Sequence, residues 1–200
     1  MMSEDVYHDR LTIVSGHKPV AVPLGEVYCQ DEAFAGGAYV GQSGVGIIAM
    51  RGSRELEDWR GANLQIFRRQ FPIDRFGHAL VFFAAAHRAL ASVGCHRFVV
   101  TGHSLGGGLA AVVAATASWV PTRGVTFNAP GLAEFSAREA SGRFDHSNAE
   151  NVFNFRAQAD VVSHWGTHLG QTFDMSDAGL HGIRSMIQQL GLVDFGGWEI

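Results

Sequence analysis

Residues 97–119 read RFVVTGHSLGGGLAAVVAATASW, and the rest of the chain is best read outward from them. The stretch opens on a β-branched and aromatic run, Phe98-Val99-Val100-Thr101, the composition of a buried strand. A small-residue turn follows, Gly102-His103-Ser104-Leu105-Gly106, and then an alanine-rich helical pattern from Leu109 to Trp119. Strand, sharp turn and helix with a serine at the tip match Gly-x-Ser-x-Gly, a nucleophile elbow. The serine backbone is forced into a strained turn. Positions two before and two after it crowd the adjoining strand and helix, so residues without Cβ fit there. The Leu105 amide falls at the helix N-terminus, where free N–H groups and the helix dipole favour an oxyanion. A Gly-rich turn holding phosphate is the competing reading, but it would want the Walker spacing with a lysine, and no lysine is present here.

Composition bounds what such a turn can serve. The chain has 200 residues, 46% of them apolar, which suggests one domain spanning 1–200 with a substantial core. The formal net charge of −4 implies no broad basic surface, and nucleic acid is not an expected partner. Cys29 and Cys95 form no metal-binding pattern, and Cys95 reads as a buried thiol. The N-terminal MMSEDVYHDR is polar and acidic, unlike a secretory leader. No apolar run reaches the length of a membrane span. The expected location is cytoplasmic, or outside the cell by a route that needs no cleaved leader.

The periodicity of the remaining segments supports an α/β fold with a mostly parallel central sheet flanked by helices. Leu11–Val14, Val20–Val22 and Glu26–Cys29 are short strand candidates between Gly and Pro punctuation. Gly36-Gly37 reads as a turn, and Ala38–Gln42 with Val45–Met50 as a hairpin or adjacent strands around Ser43-Gly44. The second of these is apolar on both faces, which suits a central strand. Ile73, Phe76, Leu80, Phe83, His87 and Leu90 recur at steps of three and four, so a helix is predicted from Ile73 to Val93. Arg123–Phe127 and Asn151–Phe155 complete the readable strands. Helix, strand, elbow and helix in that order is βαβ grammar.

Val45–Met50 ends in Arg51-Gly52-Ser53, with Asp58-Trp59 shortly after. A strand, Arg-Gly-Ser and an Asp-Trp at a helix start, together with the elbow, resemble the class 3, or fungal-type, lipase family of α/β-hydrolases. Thr126-Phe127 followed by a small residue and Pro130 adds to the likeness, which covers about Val45 to Leu190. The resemblance implies that Ser53 supplies part of an oxyanion hole with the Leu105 amide as second donor. Ser53 is equally a good helix N-cap, and both roles are compatible. The segment after it, RELEDWRGANLQIF, lies where such lipases carry a lid. It is polar enough to read as a plain surface helix or a short flap.

A serine nucleophile needs a base, and that base needs a carboxylate to set its tautomer. In this fold they follow the serine in the order acid, then histidine. Asp160 stands just past a strand in a segment similar to the family's Asp-Pro-Val, with Val161 in place of Pro. Asp145, Asp174 and Asp177 are its rivals. His181 precedes a helical pattern of Ile183, Met186, Ile187 and Leu190, the family's arrangement for the base, with His168 as runner-up. Trp59, His103, His164, Trp165 and His168 are candidates to line the pocket. The resemblance thus implies a lipase- or phospholipase-type serine hydrolase acting on lipid or small esters, with Ser104, Asp160 and His181 as its triad. It calls for no cofactor or metal and allows transient contact with a membrane surface. A short-chain esterase or thioesterase, and a catalytically silent lipid-binding module, are the alternatives.

Overall fold

The computed structural model describes residues 18–20, 35–41, 44–51, 73–132, 147–176, 179–183 and 186. Among these residues, seven strands form one sheet in sequence order: β1 (Lys18–Val20), β2 (Ala35–Val40), β3 (Val45–Arg51), β4 (Arg97–His103), β5 (Thr122–Phe127), β6 (Val152–Ala157) and β7 (Gln171–Met175). β1 and β2 are antiparallel to their neighbours, and β3 through β7 are parallel. Helix α1 (Ile73–Ser92) links β3 to β4, and α2 (Leu105–Thr116) links β4 to β5. Right-handed crossovers between successive neighbours place both helices on one face of a sheet, and α1 does pack against α2.

The core on that face follows from the apolar stripe of α1. Phe76, Phe83 and Leu90 are fully buried, with Ile48, Met50 and Val100 opposite them on the strands. α2 is apolar all round, and each of its residues is buried, as expected of a helix enclosed on every side.

Several predicted elements shift. Gly36-Gly37 is not a turn but part of β2; a Cβ on Gly36 would collide with the Phe82 ring, so the glycine lets that ring sit on the strand. The helix after the elbow ends at Thr116 rather than Trp119. Its last turn is closed by the Ala117 N–H on Val113, leaving Trp119 largely exposed. A strand at Lys18–Val20 meets the one predicted at 20–22 at Val20, and the rest of that prediction lies outside the described residues. The candidates at 11–14 and 26–29 lie outside the described residues, as do Cys29, Asp145 and Asp177. β7 has no counterpart in the sequence reading. It is an exposed edge strand, held by a stack of Phe173 on Phe155 with centroids 5.2 Å apart and by Arg156 Nε donating to Asp174.

Candidate active site

The carboxyl ends of β4, β5 and β6 bring the site together. At the end of β4 the backbone of Ser104 adopts φ 55°, ψ −128°, a strained conformation for a non-glycine residue. The strand–helix packing maintains it. A Cβ on Gly102 would overlap the backbone of Gly106 and come within 2.7 Å of the Gly107 nitrogen, so β4 and α2 approach more closely than any side chain allows. The Ser104 N–H donates to the Phe127 carbonyl (3.0 Å), and its own carbonyl accepts from Gly108 (3.1 Å). Leu105 is the first residue of α2, so its N–H has no acceptor within the helix.

Ser104, His181 and Asp160 form one hydrogen-bonded chain. Ser104 Oγ–H donates to His181 Nε2 at 2.8 Å, and His181 Nδ1–H donates to Asp160 Oδ2 at 2.9 Å. The tautomer follows from chemistry: a carboxylate only accepts, so Nδ1 carries the proton and Nε2 is left to accept from the serine. Ser104 is 2% exposed and Asp160 is also buried, which strengthens these bonds electrostatically. Burial pushes the Asp160 carboxyl upward. Hydrogen bonds and charge from His181, with N–H donors of Ser163 (3.2 Å) and Val162 (3.1 Å), outweigh it and hold its pKa below the ordinary value.

His103 lies beside the base: its Nε2–H donates to the His181 carbonyl at 2.6 Å, and the rings are 4.9 Å apart. Burial first, then the neighbouring His181, pull its pKa down to about 4, so it stays neutral. His164 donates from Nδ1 to the Asp160 carbonyl oxygen at 2.8 Å, bracing the acid loop. His168 donates from Nε2 to the Ala129 carbonyl at 3.0 Å, and its pKa is lowered, chiefly by burial. It is His181 and not His168 that meets Ser104. The Trp165 carbonyl accepts from Gly131 at 2.7 Å. Asp174 sits on an exposed edge paired with Arg156. Ser53, Trp59 and the segment predicted as a surface helix lie outside the described residues.

Sequence reasoning missed Asn128. This fully buried residue at the end of β5 has φ 45° and joins the acid and base loops (below). An Asn directly after a strand in a small-residue segment is the one local signal it carries, since Asn tolerates the left-handed region. Among the described residues, no group of three or more His, Cys, Asp or Glu side chains is arranged to hold a metal ion. No helix among them is long and apolar enough to cross a membrane.

A serine on a strand–helix elbow, over a mostly parallel sheet and facing a histidine and a buried aspartate, defines the α/β-hydrolase class. Within that class the chain belongs to the phospholipase-like family described as the Tle-like phospholipase domain, whose model matches residues 1–194. Compared with curated proteins, the sequence finds no match. Among solved structures it is similar to the Rhizomucor miehei lipase in its propeptide complex, with TM-score 0.56 and 15% identity over 88% of this chain. It is also similar to lipase II from Rhizopus niveus, with TM-score 0.55 and 14% identity over 81% of this chain. The chain covers 65% of the first and 70% of the second, and at this identity the likeness is one of fold.

Proposed function

We propose that this chain is a single-domain serine hydrolase that cleaves carboxylic esters of phospholipids through an acyl-enzyme, with Ser104 as nucleophile, His181 as base and Asp160 as its orienting acid. The observation that carries the reading is the unbroken chain from Ser104 Oγ through His181 to Asp160, at 2.8 Å and 2.9 Å. It is already in the geometry proton transfer requires. As Ser104 Oγ attacks the ester carbonyl, its proton passes to His181 Nε2, and Asp160 stabilises the imidazolium. The carbonyl oxygen, now an oxyanion, is received by the Leu105 N–H at the start of α2, with Ser53 as the second donor. Such a donor contributes about 10²–10³ in rate. His181 then gives its proton to the leaving alcohol. Water, activated by the same imidazole, releases the fatty acid and restores the serine.

The phospholipid assignment is supported by the family the chain belongs to. Two apolar side chains beside the triad support transient contact with a lipid surface: Val161, next to Asp160, is 70% exposed, and Leu180, next to His181, is 68% exposed. Wild-type protein and Ser104→Ala are to be compared with a fluorophosphonate probe and then on a panel of phospholipids, acylglycerols and short-chain esters. The expected result is labelling of wild type alone and release of fatty acid from phospholipid vesicles. Equal labelling of Ser104→Ala would refute the mechanism. Activity confined to soluble short-chain esters would refute the substrate class and leave the mechanism standing.

A further inference from the structure

The triad residues come from three separate parts of the chain: the end of β4, the loop after β6 and the segment ahead of Met186. Something must hold the last two in register with each other. Asn128 touches both. Its Oδ1 accepts from the Ala157 N–H at 2.7 Å, and the Ala157 carbonyl in turn accepts from the Asp160 N–H at 3.0 Å. Its Nδ2–H donates to the carbonyl of Leu180, immediately before His181, at 3.2 Å. A carboxamide suits this place because it offers an acceptor and a donor on two atoms of one rigid plane. The residue is fully buried at φ 45°, a conformation more costly for most side chains. Next to it, His103 takes the following carbonyl, that of His181 itself, at 2.6 Å. Consecutive carbonyls of the base segment are therefore held by side chains from the ends of β5 and β4.

We propose that Asn128 is a positioning residue for the triad, clamping the His181 segment to the Asp160 loop so that the imidazole reaches both the carboxylate and Ser104. The proposal rests on the triad reading above. Without the clamp the Leu180 carbonyl loses its donor, and the imidazole is free to move relative to Asp160. A displacement near 1 Å costs about 10²-fold in rate.

Asn128→Gly removes the carboxamide and leaves a backbone at ease at positive φ. Asn128→Asp keeps the volume and the acceptor for Ala157 but loses the donor to Leu180. Both, with wild type and His181→Ala, are to be measured for kcat and KM on a p-nitrophenyl ester, for fluorophosphonate labelling rate and for thermal midpoint. The low-field ¹H NMR signal of the His181 Nδ1 proton, identified by its loss in His181→Ala, is followed in each. The expected result is a kcat lowered about 10–100-fold with KM within about twofold. Labelling slows in parallel, and the low-field signal shifts or broadens in both Asn128 variants. Wild-type kcat with an unmoved signal in either folded variant overturns the proposal and leaves the triad intact. Reduced activity explained by a lower thermal midpoint, with the signal unmoved, overturns it as well. Wild-type labelling of His181→Ala would instead bring down the triad reading, and the clamp with it. If Asn128→Gly does not fold, Asn128→Asp alone decides between these outcomes.

Discussion

His103 offers a sharp test because its electrostatic effect can be worked out with its sign. Its pKa falls from 6.5 to about 4, first through burial and then through the neighbouring His181. In the unfolded chain the same group titrates at its ordinary value. Above pH 6.5 both states are neutral there and stability is complete. Below it, the unfolded state takes up a proton that the folded state refuses, so stability falls with falling pH, by at most about 1.4 kcal/mol per pH unit for one proton. The loss reaches about 2 kcal/mol at pH 5 and about 3 kcal/mol once both states are protonated, below the folded value. His103→Gln isolates this contribution, because the amide can still donate to the His181 carbonyl but does not titrate. Urea denaturation between pH 7 and pH 5 measures it directly. His168, whose pKa is also lowered, is common to both proteins and cancels in the difference. The wild type should lose about 2 kcal/mol more than His103→Gln over that interval. Parallel curves for the two proteins would show that the ring is not held neutral, and the reasoning from its burial would fail.

Asp160→Asn should keep the fold and lower kcat by about 10⁴-fold, read by ester hydrolysis and fluorophosphonate labelling. The carboxamide can present its N–H₂ to His181 Nδ1 and so favour the tautomer whose Nε2 cannot accept from Ser104; a loss under tenfold would contradict that role. Ser104→Gly and Ser104→Ala should both be inactive, but the glycine variant should be the more stable by about 1 kcal/mol, because the elbow strain at φ 55° is relieved only in it. Thermal or urea unfolding of the pair checks this, and an alanine variant equal or superior in stability would show that the elbow stores no strain.

The elbow was legible because its constraints are local. Gly102 and Ser104 are close in sequence, and the strand and helix they join announce themselves by β-branched and alanine-rich composition. The stripe on α1 was legible for the same reason, since a helical face is written at steps of three and four. The glycines at 36 and 37 misled, because a glycine that makes room for the Phe82 ring looks in sequence like one that makes a turn. β7 was invisible because an exposed edge strand needs no apolar alternation; Phe173 finds its partner on β6 only once the strands are side by side.

By itself, then, the sequence determined that a serine stands on a strand–helix turn in an α/β fold, and that acids and histidines follow it in usable order. Which histidine reaches the serine was a matter for tertiary structure: His168 is spent on the Ala129 carbonyl, while His181 spans Ser104 and Asp160. So were the grips of Asn128 and His103 on the carbonyls of Leu180 and His181, residues 52 and 78 positions away. Hydrogen bonds over such separations leave no periodicity behind. They exist because parallel strands bring their carboxyl ends to one edge, where loops distant in the chain become neighbours.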